Sequence, residues 1–146
     1  MSFEFKVVRR VEFSETDMAG IMHYSNYFRF METAEHGFFR SLGLRIIDQG
    51  DPPVSWPRVH AECDYKMPLR FEDEVEIHLL VSAKKSKALS YLFRFRKLNP
   101  APAVEVARGS LTVVCVGLDA EGRMKACPMP KYISDKIQLA PAEMLA

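Results

Sequence analysis

Over residues 3–13 the chain alternates, with Phe3, Phe5 and Val7 set against Glu4 and Lys6. That period of two predicts a first strand. The period changes at Asn26, from where Tyr27, Met31, Ala34, Phe38 and Leu42 recur at steps of three and four. This is one apolar face of a helix over residues 26–42. Ser25 or Asn26 could cap it through a side-chain oxygen, and Gly43 stands where a left-handed residue would close it. Residues 14–25 are left as a loop, and residues 48–57, with Pro52, Pro53 and Pro57, as another. Beyond Pro57 the pattern is strongly β. Strands are predicted over 58–66, 75–83, 89–98 and 104–118, the last the longest, with a short one at 123–126. A break containing Pro68, the turn "KKSK", the turn "NPAPA" and the hairpin signal "DAEG" separate them. "CPMPKYISDKI" ends the sheet and offers a last short helix. The order predicts an α+β domain of two layers, with one long helix across an antiparallel sheet of five to six strands. The other sheet face and at least one edge would need cover, which predicts association.

A length of 146 residues suits a single domain spanning 1–146. The net charge of +1 gives no bulk attraction to nucleic acid or an acidic membrane. No apolar run approaches the ~20 residues that cross a bilayer. The N-terminal "MSFEFKVVRR" is charged where an export signal is apolar, so the expected location is cytoplasmic. Cys63, Cys115 and Cys127 are odd in number, widely spaced and without a CxxC pair. They suggest neither a zinc site nor a disulfide framework and read as buried structural thiols.

The chemistry concentrates in "SETDMAGIMHYSNYFRFME". Asp17, Gly20, His23, Tyr24 and Asn26 stand immediately before the long helix, a more particular filling than most loops have. A strand, D-x-x-G-x-x-x-Y-x-N-Y, a long helix and then an antiparallel sheet resemble the hot-dog fold. Within it the match is to the 4-hydroxybenzoyl-CoA thioesterase-like family, including its Tol-Pal-associated branch. The motif falls on Asp17, Gly20, Tyr24, Asn26 and Tyr27; "PLRFEDEVEI" and "GRMKACPMP" extend the likeness over nearly the whole chain.

The resemblance implies an acyl-CoA thioesterase without cofactor or metal, working as a homodimer or homotetramer. It gives Asp17 the role of catalytic carboxylate and the Tyr24 backbone amide that of oxyanion donor. The physical fit is direct. Free amides at a helix N-terminus stabilise a developing oxyanion, and the helix dipole adds to them. Gly20 would turn the loop tightly enough to bring Asp17 alongside, either to attack the carbonyl or to activate water. Gly20, His23, Asn26 and Tyr27 are the expected substrate contacts.

Glu32, two turns into the helix, is the rival catalytic carboxylate, as in a related branch of the fold. A metal set from Asp17, His23, Glu32, Glu35 and His36 lacks both H-E-x-x-H and H-x-x-E-H spacing. His23 with Glu32 could imitate the pair of a hot-dog dehydratase or hydratase, but its His-Phe-Pro surroundings are missing. A non-catalytic acyl-CoA-binding module is the third reading, with the retained Asp17 against it. Arg58, Arg70, Lys84, Lys85 and Lys87 are candidates to meet coenzyme A phosphates. Trp56 and Phe71 read as packing, and His60 and His78 as core or surface. The acyl group, and whether coenzyme A or an acyl carrier protein bears it, stays open at this level.

Overall fold

A computed structural model describes residues 2–47 and 50–146. Asp48 and Gln49, the start of the expected proline loop, lie outside the described residues. β1 (Glu4–Arg10) leads through a 3-10 turn (Phe13–Glu15) to the long helix α1 (Ser25–Ser41). β2 (Arg58–Tyr65), β3 (Glu74–Lys84), β4 (Ala88–Lys97) and β5 (Val104–Val114) follow. A hairpin of β6 (Val116–Leu118) and β7 (Met124–Ala126) and the short α2 (Lys131–Ser134) complete the order. The main sheet runs β1-β3-β4-β5-β2, antiparallel at every pairing, so β1 and β2 are its edges.

α1 lies on one sheet face and buries Tyr27, Phe30, Met31, Ala34, Phe38 and Phe39. Phe38 meets Tyr91 of β4, and Tyr27 meets Phe95, both edge to face. Each such side chain contributes about 1.5–3 kcal/mol when fully buried. Close approach needs a glycine on β5: a Cβ at Gly109 would stand 2.1 Å from Met31 Cε and 3.1 Å from the Glu62 carbonyl.

The helix closes as its sequence indicates. Gly43 has φ +74°, its N–H donates to the Arg40 carbonyl, and the Leu44 N–H reaches back to Phe39. That is a Schellman motif. Its start differs from expectation, because neither Ser25 nor Asn26 is the cap. Tyr24 already has helical dihedrals, φ −56° and ψ −31°, and the His23 ring takes the capping position beside Ser25.

Two other expectations are corrected. The run 104–118 breaks at Cys115, whose N–H turns to the Lys87 carbonyl, while Val116 pairs with Ser55 and with β7. Nor is the outer sheet face apolar. Lys6, His78, Arg94, Arg108 and Asp64 form one cross-strand row on it. The C-terminal segment crosses the same face, with the Ala140 N–H on the Val81 carbonyl and Arg94 Nη2 on the Met144 carbonyl at 2.7 Å. Cover for an apolar second face therefore gives no reason to associate. The outer edge of β2, which pairs with no further strand among the described residues, remains one.

Candidate active site

The D-x-x-G segment is a tight turn. The Gly20 N–H donates to the Asp17 carbonyl at 2.9 Å, and the Asp17 N–H to the Ile21 carbonyl at 2.9 Å. Gly20 has φ +79° with open space around its Cα, so conformation and not crowding requires a glycine. Asp17 Oδ1 accepts the Ala19 N–H at 2.9 Å, a local Asx-type bond that fixes the carboxylate. Its Oδ2 accepts no hydrogen bond among the described residues.

This turn is tied to the helix start by short bonds. Thr16 bridges Met22, and the Met22 N–H donates to the Leu69 carbonyl at 2.7 Å. The Glu15 carbonyl accepts both the His23 N–H at 2.9 Å and Asn26 Nδ2 at 2.8 Å. Asn26 is buried, and that amide bond makes it a staple between the 3-10 turn and the first helical turn. His23 Nδ1 accepts the Ser25 N–H at 3.3 Å and lies 2.7 Å from Ser25 Oγ, which assigns the ring proton to Nε2. Its ring stacks on Tyr24 with centroids 4.5 Å apart.

The Tyr24 side chain is 64% exposed. Its carbonyl accepts the Tyr65 hydroxyl at 3.1 Å, and its own N–H donates to no group among the described residues. A cleft of about 410 Å³ opens here, lined by Asp17, Met22, Tyr24, Tyr27, Tyr65 and Lys66, among others. The edge-to-face pair of Tyr27 and Tyr65 forms one wall. Burial, with the Cys63 thiol second, pushes both tyrosine hydroxyls up to about 12, so they stay neutral donors.

The rival carboxylates lie elsewhere. Glu32 is 52% exposed, 3.5 Å from Arg58 Nη2, and lines a separate groove of about 390 Å³ with Ser25, Phe28 and Arg58. Glu35 is fully buried and held by both terminal nitrogens of Arg58, which also donates to the Trp56 carbonyl at 3.0 Å. Burial raises the Glu35 pKa against the opposing pull of Arg58. His36 lines a third hollow with Arg40 and Arg45, and burial lowers its pKa. Of the five residues weighed as a metal set, Glu32 and Glu35 share Arg58, whereas Asp17 lines the other cleft. Arg58, a candidate for coenzyme A phosphates, is committed to two carboxylates.

The sequence did not single out Tyr65, Lys66 and Met67 as part of the cleft. Only the Pro68 break marks that segment, and nothing local places it against Asp17. Glu35 carried a usable signal, since it lies four residues after Met31 and three before Phe38, on the apolar face of the helix.

A family model described as the thioesterase-like superfamily matches residues 11–137. Part of a protein of Aquifex aeolicus is 45% identical over 71 residues, 49% of this chain and 56% of that protein. A 1,4-dihydroxy-2-naphthoyl-CoA hydrolase of Prochlorococcus marinus (strain MIT 9211) is 28% identical over 61% of this chain and 64% of its own length. The matched segments thus span less than two thirds of these two relatives. A hydrolase of the same name from Parasynechococcus marenigrum is 26% identical over 88% of this chain and 85% of its own. Among solved structures, a gentisyl-coenzyme A thioesterase has a TM-score of 0.75 at 30% identity, covering 88% of this chain and 98% of that one. A 4-hydroxybenzoyl-CoA thioesterase has a TM-score of 0.79 at 22% identity over 91% and 98% of the two chains, a likeness of fold alone.

Proposed function

The chain belongs to the thioesterase-like superfamily and has the hot-dog fold, and on that premise we propose that it hydrolyses an acyl-CoA thioester to a carboxylic acid and coenzyme A. One observation carries the reading: Asp17 lines the same cleft as Tyr24, whose backbone N–H is unengaged among the described residues at the start of a 17-residue helix. In this reading a thioester carbonyl in the cleft accepts that N–H, and the helix dipole favours the charge that develops on its oxygen. Asp17 Oδ2 then attacks the carbonyl carbon or takes a proton from attacking water. His23 and Asn26 hold the helix start in place, and Tyr27 and Tyr65 wall the acyl group. The names of the relatives and these aromatic walls favour an aromatic acyl group. We place the reaction in the cytoplasm.

The same reading makes the protein a homo-oligomer. β2 is an edge strand whose residues are mostly exposed, Val59 and Tyr65 among them, and such an edge is suited to pair with a second copy.

The test is thiol release from a panel of aromatic and aliphatic acyl-CoAs and an acyl-carrier-protein thioester. Asp17→Asn should stay folded and lower kcat by at least about 10²-fold, the lower end for a positioned base. Near-normal turnover in Asp17→Asn, together with loss in Glu32→Gln, would move catalysis to the helix.

A further inference from the structure

Cys115 and Cys127 read as unrelated thiols in sequence, yet the fold sets their sulfurs 3.8 Å apart. Cys115 sits at the break between β5 and β6, and Cys127 follows β7. They continue the β6–β7 register by one step beyond Val116 and Ala126, and the Cys127 N–H donates to the Cys115 carbonyl at 2.9 Å. Directly opposed residues of an antiparallel pair have Cα atoms ~4.5–5.5 Å apart in either bonding pattern. That range lies inside what a disulfide spans, so the sulfurs have to close only from 3.8 Å to the ~2.05 Å bond length. Cys115 is buried and Cys127 is partly accessible.

We propose that Cys115 and Cys127 are a thiol–disulfide exchange site whose substrate is a small-molecule disulfide of the glutathione class. The accessible Cys127 reacts first. Its thiolate attacks one sulfur of the disulfide, forming a mixed disulfide and releasing one thiolate, which takes up a proton. Cys115 then attacks the Cys127 sulfur, its proton passing to the departing small thiolate. The Cys115–Cys127 bond forms as the mixed disulfide breaks and the second small thiol leaves. Two electrons pass from the protein thiols to one small-molecule disulfide, which becomes two thiols. The resulting bond joins the two ends of the β6–β7 hairpin. Cys63 is the internal control. It lies on β2 with its thiol pushed up to about 11, first by burial, so it exchanges poorly.

The experiment is independent of the hydrolase reading. Reduced full-length protein is incubated with glutathione disulfide, quenched in acid, unfolded and alkylated with N-ethylmaleimide. Expected is one alkyl group in place of three, a peptide map joining residues 115 and 127, and Cys63 alkylated. Cys63→Ser should still form the bond, whereas Cys127→Ser should not. Three alkylated cysteines, or a glutathione adduct persisting on Cys127 with Cys115 still free, would overturn the proposal.

Discussion

Replacing Arg58 by Met would leave the Glu35 carboxylate in the core without its partner. Glu35 is 0% exposed, and the Arg58 side chain is 27% exposed, so little water reaches the pair. Removing one partner of a buried pair costs roughly 3–5 kcal/mol, because the other charge is stranded. The partly open Arg58 side places the expected loss near the lower end, about 3 kcal/mol, a large part of the stability of a domain this size. The loss has a pH signature. Burial already holds the Glu35 pKa above its ordinary 4.5, and removing Arg58 removes the main opposing pull. A carboxyl whose pKa is raised on folding destabilises most at high pH, where the unfolded chain has released its proton and the folded one resists doing so. The deficit of Arg58→Met should therefore be largest near pH 8 and shrink as pH falls toward 5. Adding Glu35→Gln should recover most of the loss at pH 8 and flatten the pH dependence. Urea unfolding of the wild type, both single variants and the double variant gives all four corners of the cycle. A deficit below about 1 kcal/mol at pH 8, or one independent of pH, would refute the view that Arg58 holds a charged carboxylate in the core.

At the helix start, Tyr24→Phe keeps the amide and should change kcat by less than about tenfold, whereas Tyr24→Pro deletes the N–H and should cost about 10²–10³. Circular dichroism must first show both variants folded; an inactive Phe variant beside an active Pro variant would shift the chemistry to the hydroxyl. His78 is buried against Glu4 and Arg96, and burial lowers its pKa. The unfolded chain then takes up this proton first, so stability is lost as pH falls below about 6.5, by at most ~1.4 kcal/mol per pH unit. Urea midpoints between pH 7 and 5 should fall more steeply for the wild type than for His78→Gln, and equal slopes would reject the burial argument. Light scattering at micromolar concentration should give a dimer or tetramer, and a stable monomer active in thiol release would refute edge pairing through β2.

The sequence alone determined those features whose cause is local. The step of three and four from Tyr27 to Leu42 produced α1 within a residue of its ends, because an amphipathic face needs only its own spacing. Gly43 and Gly20 are legible because each must adopt positive φ whatever surrounds it. Strand alternation located β3 and β4 closely, and the Asp-Gly-Tyr-Asn spacing placed Asp17 and the helix start beside one another. The tertiary structure decided what depends on segments far apart in the chain. Tyr65 and Lys66 reach the cleft only because β2 pairs with β5 and the Leu69 carbonyl holds Met22. The break at Cys115 is invisible in an apolar run that continues through it, since it is caused by Lys87 and Ser55 claiming the backbone. The separation of Glu32 from Asp17, and the capture of Arg58 by Glu35, follow from how the helix is rotated on the sheet. Periodicity names the buried face but not which partner a charged residue on it will find, and that partner is fixed only when the layers pack.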